Sequence, residues 1–259
     1  ENRTGANGTI GTAYAASAPG DGHLLLATSN ATLGAAPAVY KKLAYDAAKD
    51  FIALAPIGYM PAALVINKEL PATNFSELIA LMKKKERPYS FGSPGVGNPS
   101  HLAGERFKRR LGVEMEHVPY RGGAEIMKDL IAGTLQMALS PLIECLPHIK
   151  AGSIRAIAGM RSQRTKHLPD LPTIVEVGAP GLDYASWQGI HGPRGMSPDM
   201  TRYLNEQIRA VVAEPEITAM LDRIVIEPFH MSPQDFAAFD AQERAKSVAV
   251  AREANVTLE

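Results

Sequence analysis

The sequence predicts an α/β protein of two lobes, because apolar strand-like runs alternate with helical patterns and this alternation breaks twice. Alternation of strands and helices through short loops is typical of mostly parallel sheets covered by helices on both faces. The expected strands are 23–28, 51–57, 62–67, 89–92, 114–118, 135–139, 154–159, 184–190 and 224–229.

Several helix ends are marked by residues that can satisfy the free backbone groups at those ends. Asn74 and Glu77 have the spacing of a capping box, and other cap residues directly precede a proline suited to the first helical position. Glycine readily adopts the left-handed conformation that closes a helix. The caps before proline are Asn98, Ser197 and Ser232, and the expected closing glycines are Gly112, Gly133 and Gly152.

Two breaks in the alternation predict where the chain passes between lobes. At 56–61 one strand-like run leads into another without a helix, and at 184–189 a strand follows a segment rich in proline and glycine. Two crossings divide the chain into a discontinuous first lobe, 1–61 with 187–259, and a second lobe, 62–186. Trp187 lies at the second crossing, where packing in a core and lining a ligand site are both open.

Composition excludes several classes of protein. Lys and Arg together number 27, as do Asp and Glu, so no overall charge favours nucleic acid or an anionic membrane. Apolar residues make up 46% of the chain, but their runs are far shorter than the roughly 20 residues of a membrane span. We therefore expect neither nucleic-acid binding nor a membrane-embedded protein.

Cysteine and histidine usage argues against a metal or cofactor site. Cys145 is the only cysteine, so we expect a packed core thiol, with a reactive thiol as the alternative. The seven histidines lack the paired spacing of metal ligands. The glycines also do not form a dinucleotide or phosphate-loop motif.

The stretch from Ser93 to His101 is the strongest candidate for a binding site, because it follows a strand and opens a helix. Only Pro94 and Pro99 lack an amide hydrogen here, so seven donors remain in a loop that glycine allows to curve tightly. A helix start favours an anion, although an ordinary strand-to-helix loop is the alternative. The candidate ligand residues are Ser93, Gly95, Val96, Gly97, Asn98, Ser100 and His101.

Three further strand ends carry small polar or basic residues. In open α/β sheets, ligands bind beyond the carboxyl ends of the strands. In the loop that contains Ser29 and Asn30, helix capping is the alternative to ligand contact. For Arg121, the alternative to ligand contact is a side chain that is exposed to solvent. The candidates are Ser29 and Asn30 in the first loop, Tyr120, Arg121 and Gly122 in the second, and Ser140 in the third.

Catalysis has weaker support than binding. The chain has no nucleophile-elbow motif, and no pairing of a nucleophile with a base can be identified from the sequence. For His101, a neutral ring that fixes the loop, a ligand contact and a general base all remain open. We expect no catalytic residue and no cofactor.

A series of short motifs along the chain resembles those of a known family, the extracytoplasmic solute receptors of tripartite tricarboxylate transporters, often called Bug-type receptors. The resemblance covers essentially the whole chain and depends on the order and spacing of many short motifs. These are ENRTGANG at 1–8, PGDGH at 19–23, LAYD at 43–46, KDF at 49–51, FGSPGVG at 91–97, SHLAGE at 100–105, HVPYRG at 117–122, LPHIKAG at 146–152 and LPDLPT at 168–173.

The resemblance implies a type II periplasmic-binding-protein fold with two lobes and a hinged cleft. It implies a monomeric periplasmic receptor, without enzymatic activity, that hands a small aromatic, amino or aliphatic carboxylate to membrane permease subunits. The family's carboxylate-gripping loop corresponds to residues 93–101. Sensing through a partner protein is the first alternative role, and an enzyme on the same scaffold is the second.

Two departures from the family pattern shape further expectations. Family members normally begin with a strand and a loop that forms one wall of the ligand site, followed by a helix. The resemblance implies that this chain, taken as a mature or trimmed sequence without its signal peptide, has a first lobe lacking that strand and helix. The family also often carries Asp where this chain has Ser140, which argues against an amino-acid ligand.

Overall fold

The computed structural model describes residues 1–3, 5–86 and 88–258. They form two compact units, one made of Glu1–Tyr59 with Ser186–Glu259 and the other of Met60–Ala185. The boundaries expected from the sequence, after residues 61 and 186, lie close to these.

The described elements alternate as the sequence predicts, and all nine expected strands are present. The helices are α1 Thr9–Ala16, α2 Ala36–Val39, α3 Phe75–Lys83, α4 Pro99–Leu111, α5 Gly123–Ala132, α6 Leu142–Lys150, α7 Pro198–Ala213, α8 Pro215–Arg223 and α9 Pro233–Ala254, with a π-helical turn at Ala31–Ala35. The strands are β1 Leu26–Ser29, β2 Phe51–Met60, β3 Ala62–Asn67, β4 Ser90–Ser93, β5 Glu116–Pro119, β6 Met137–Pro141, β7 Ile154–Gly159, β8 Ser186–Pro193 and β9 Glu227–Pro228.

The second unit contains a five-stranded sheet in the order β5-β4-β6-β3-β7. Strand β4 is parallel to both β5 and β6, whereas β3 is antiparallel to β6 and β7. Four strands therefore run in one direction and only β3 opposes them, so a mostly parallel sheet is confirmed here. Helices connect β4 to β5 and β5 to β6, which is the connection that parallel neighbours require.

Helices cover both faces of this sheet. Neighbouring side chains in a strand lie on opposite faces, and Phe91 packs against Gly104 of α4. At Gly92, a side chain would instead meet Ile126 of α5. Helix α4 thus packs on one face and α5 on the other.

The first unit contains a four-stranded sheet in the order β1-β8-β2-β9. Here β1 pairs antiparallel with β8, and β2 pairs antiparallel with β9. The expectation of mostly parallel pairing is wrong for these pairs. The partners come from separate passages of the chain through the unit, so no helical crossover between consecutive strands imposes a parallel direction.

Trp187 is fully buried in the first unit, where its ring contacts Phe236 and Phe239 of α9 edge to face. Of the two roles left open by the sequence, core packing is the one that the structure supports. Within the described residues, no helix combines the length and apolar character that crossing a bilayer requires.

The predicted helix ends have the expected geometry. The Asn74 side chain accepts a hydrogen bond from the Glu77 amide at 2.9 Å, and Asn98 caps α4 in the same way through the Ser100 amide. The Glu77 carboxylate accepts hydrogen bonds from the Thr73 amide and hydroxyl, and it also interacts with the Asn74 amide, as the predicted capping box requires. Ser197 and Ser232 also accept hydrogen bonds from their helices, and Gly112, Gly133 and Gly152 have positive φ.

We predict that Gly104→Ala lowers the free energy of unfolding by about 1–3 kcal/mol, although alanine favours helices more than glycine does. The new methyl group would overlap the Phe91 ring, so helix and strand must separate. Urea denaturation checks this. Gly159→Ala is the control, since its methyl group would lie 3.9 Å from its nearest neighbouring atom. If both substitutions lower the free energy of unfolding equally, overlap with the Phe91 ring is not the cause of the loss.

Candidate functional site

The carboxyl ends of three strands meet at one edge of the second unit's sheet. Strand β4 lies between β5 and β6, and in register Ser93 pairs with Pro119 while Gly92 pairs with Ala138. Because the three strands are parallel, the loops that follow them leave from the same edge. We call the residues of these loops, 93–101, 120–123 and 140–144, the strand-end site.

The first loop of the strand-end site is closed by its own hydrogen bonds. The Gly97 amide donates to Nδ1 of His101 at 3.0 Å, and the Asn98 amide donates to the Gly95 carbonyl at 3.3 Å. Ser100 donates its amide to Asn98 Oδ1 at 3.1 Å. The expectation of seven free donors is therefore wrong for these three amides, which hold the loop in shape.

Two amides in the middle of this loop remain available. Those of Gly95 and Val96 have no acceptor in the described parts of the chain. Gly95 has a φ of 115° and Gly97 a φ of 78°, conformations that glycine adopts at little cost. Val96 is exposed. The loop thus presents consecutive backbone donors at the strand end, an arrangement that suits an anion.

A serine and two histidines contact the 93–101 loop on its buried side. Ser93 is fully buried, and its hydroxyl donates to the Gly95 carbonyl at 2.9 Å. His117 of β5 lies with Nε2 at 2.7 Å from the same hydroxyl oxygen. Since the single hydroxyl hydrogen goes to Gly95, Nε2 of His117 must donate. The His101 ring stacks on that of His117, with ring centroids 3.8 Å apart.

Both rings are held in the neutral form. Burial lowers the pKa of His101 to about 4, and the positive charge of Lys108 acts in the same direction. Burial, followed by the neighbouring His101, lowers the pKa of His117 to about 4. A neutral His101 can accept the Gly97 amide hydrogen through Nδ1. Of the roles that the sequence left open for His101, fixing the loop is the one supported by this contact.

The three candidate ligand residues of the second loop, 120–122, have different surroundings. The Tyr120 hydroxyl donates to Asp129 at 2.9 Å, and burial together with this carboxylate raises the pKa of Tyr120 to about 12. Arg121 is exposed, and its guanidinium has no partner within the described residues. Gly122 is extended, and apart from its chain neighbours no described atom lies within 4 Å of where a Cβ would stand.

The third loop brings in a residue that sequence reasoning missed. Ser140, at the end of β6, donates its hydroxyl to the Glu144 carboxylate at 3.0 Å. That carboxylate lies against Gly123 at the start of α5. Burial raises the pKa of Glu144, and the hydrogen bond from Ser140 opposes this shift. Glu144 lies outside the family motifs, but its four-residue spacing from Ser140 was a usable signal. His117 begins the HVPYRG motif, although that motif did not indicate its contact with Ser93.

Ser29 and Asn30 belong to the first unit, at the end of β1. The Ser29 hydroxyl oxygen accepts the Ala31 amide at 3.2 Å, and Asn30 Oδ1 accepts the Ser186 hydroxyl at 2.8 Å. The Ser29 side chain therefore helps to close the turn that follows β1, in agreement with the capping alternative, whereas Asn30 links the end of β1 to the start of β8.

Cys145 is a buried core thiol, as expected. It is fully inaccessible, and burial raises its pKa to about 12, so the alternative of a reactive thiol is wrong. Among the described residues, no cluster of three or more His, Cys, Asp or Glu side chains could hold a metal ion.

The comparison with known sequences decides the family. The pattern of the family described as "Tripartite tricarboxylate transporter family receptor" matches residues 1–256. The chain belongs to this family. Among its relatives, BugT of Bordetella pertussis is 29% identical over 259 residues, which cover 100% of this chain and 79% of BugT.

Two solved structures with the same α/β fold are those of Rpa4515 and MatC. Rpa4515 of R. palustris, whose structure is described as containing adipate, is 33% identical with a TM-score of 0.87, covering 99% of this chain and 86% of that one. MatC from Rhodopseudomonas palustris, described with bound malate, is 26% identical with a TM-score of 0.79, covering 95% and 85%. The fold implied by the resemblance is thereby confirmed.

We predict that the free energy of unfolding falls as the pH decreases from about 6.5 to about 4. In this range the unfolded chain binds a proton on residue 101 that the folded chain excludes, so protonation favours unfolding. His101→Asn keeps an acceptor for Gly97 and should reduce this pH-dependent loss by about 2–3 kcal/mol. Urea titrations at both pH values check it; an unchanged loss would contradict a neutral, buried His101.

Proposed function

We propose that this chain is a periplasmic receptor that binds a small carboxylate and delivers it, unaltered, to permease subunits of a tripartite tricarboxylate transporter. One observation carries the proposal: the amides of Gly95 and Val96 are free at an edge shared by three strand ends. Family membership and the ligands described for Rpa4515 and MatC agree with a carboxylate.

The strand-end site suits a carboxylate better than a neutral solute. Backbone amides that bond to an ionised oxygen make charge-assisted hydrogen bonds of about 1.5–3 kcal/mol each. The free guanidinium of Arg121 lies in the next loop of the same edge and can add an attractive charge. The neutral His101 and His117 beneath the loop add no charge of either sign.

Energetics limit what this loop can do alone. A dissociation constant near 1 μM requires about 8 kcal/mol. Two amide bonds contribute about 3–6 kcal/mol, and the start of α4 adds about 1 kcal/mol. Further contacts are therefore needed, and we propose Tyr120, Gly122 and Ser140 as their sources, beside the remaining residues of the 93–101 loop. Ser29 and Asn30 stay candidate ligand residues of the first unit.

An enzymatic role is the weaker alternative. In the strand-end site, the hydroxyl nearest to a histidine among the described residues is that of Ser93, whose Oγ lies 2.7 Å from Nε2 of His117. Ser93 is fully buried and gives its hydrogen to Gly95, so His117 does not accept that proton. Sensing through a partner protein would require the same binding site, so the site does not distinguish sensing from transport. A pair of permease genes next to the gene of this protein would favour transport.

We predict that Gly95→Ala weakens carboxylate binding at least tenfold while lowering stability by only about 1 kcal/mol. At a φ of 115° an alanine is strained, and relief of that strain turns the Gly95 and Val96 amides away. Gly152→Ala is the matched control, since it also has positive φ and open space but lies after α6.

The measurement is a thermal-shift screen of aliphatic, aromatic and hydroxy carboxylates, followed by calorimetry. A ligand at 100 times its dissociation constant should stabilise the original chain by about 2.7 kcal/mol. Equal binding by the Gly95→Ala and Gly152→Ala proteins would refute the role of this loop. Product formation during long incubation would favour an enzyme.

A further inference from the structure

We propose that Glu144 sets the specificity of the strand-end site, selecting a carboxylate whose far end carries an ammonium group over one with a second carboxylate. The inference rests on the proposed carboxylate-binding function and adds the ligand's second functional group. It would make the solute an amino carboxylate with separated charges, in contrast to the dicarboxylates described for Rpa4515 and MatC.

The position of Glu144 places its carboxylate within the strand-end site. Ser140, which ends the third strand of the shared edge, holds it by a hydrogen bond of 3.0 Å. Gly123, which begins the helix after the second strand, packs directly against the carboxylate group, where any larger residue would overlap it. Two of the three loops thus fix its location.

The Glu144 carboxylate lacks a counter-ion. The Ser140 hydroxyl is a neutral donor, and no Lys, Arg or His among the described residues lies within ion-pair distance of it. A half-buried carboxylate without an opposite charge is costly, because burial removes water that would otherwise solvate it. An ammonium group on the ligand would compensate this charge, whereas a second carboxylate would add like-charge repulsion.

The two parts of the strand-end site are therefore complementary to a zwitterion. Free amides of Gly95 and Val96 suit an anion, and the uncompensated Glu144 suits a cation. This inference runs against the expectation from Ser140 that an amino-acid ligand is disfavoured. Although residue 140 is not acidic, it orients an acidic side chain one helical turn later.

Calorimetry with matched ligands tests the inference on the full chain. The first set is adipate, ω-aminohexanoate and hexanoate, and a shorter set is succinate, γ-aminobutyrate and butyrate, so that chain length is varied separately from charge. In at least one set, we expect the amino compound to bind at least tenfold more tightly than the dicarboxylate and the monocarboxylate.

Glu144→Gln removes the charge but keeps an acceptor for Ser140. It should weaken binding of the amino compound by about ten- to hundredfold, the range of one charge-assisted hydrogen bond, and leave the monocarboxylate unaffected. Glu216→Gln is the control, because Glu216 is also acidic in the first turn of a helix, α8, but is exposed in the other unit.

Gly123→Ala provides a second variant that moves the carboxylate without neutralising it. Its methyl group would displace the Glu144 side chain, so the preference for the amino compound should fall in this protein too. Gly159→Ala, whose methyl group fits, should keep the preference.

The outcomes separate this inference from the proposed function. If mono- or dicarboxylates bind the original chain and amino compounds gain nothing, the role of Glu144 is overturned while carboxylate binding stands. If Glu144→Gln lowers the unfolding free energy but leaves the preference intact, Glu144 only stabilises the start of α6. If no carboxylate of either set, and none in the wider screen, binds the original chain, the proposed function fails first.

Discussion

The parallel pairing of β4 with both β5 and β6 is the constraint on which the candidate site depends. Parallel strands end at the same edge, so three loops far apart in the sequence leave the sheet side by side. The free backbone amides of the 93–101 loop and the carboxylate of Glu144 are brought to the same edge of the sheet only by this pairing. The antiparallel β3 lies outside this trio, next to β6, and does not alter which loops meet.

The first loop of the strand-end site, residues 93–101, is stabilised from its buried side. Gly97, Asn98 and Ser100 use their amides internally, and the stacked neutral rings of His101 and His117 support them. Burial keeps these rings uncharged, so they fix geometry without adding an electrostatic preference. The neighbouring Gly95 and Val96 amides have no acceptor within the described residues.

Charge in the strand-end site is asymmetric, and this asymmetry gives the site its proposed selectivity. Free amides and the unpaired Arg121 suit an anion, whereas Glu144 places an uncompensated negative charge at the start of α5.

By itself, the sequence determined the features that depend on local chemistry. Glycines with positive φ, side chains that cap helices and alternating apolar runs specify turns, helix ends and strands without help from distant residues, and the motif order identified the family. Strand direction in the first unit, the stacking of His101 on His117 and the contact of Glu144 with Gly123 were decided only by tertiary structure. Each of these joins residues from different elements, and no local preference encodes which elements will pack together.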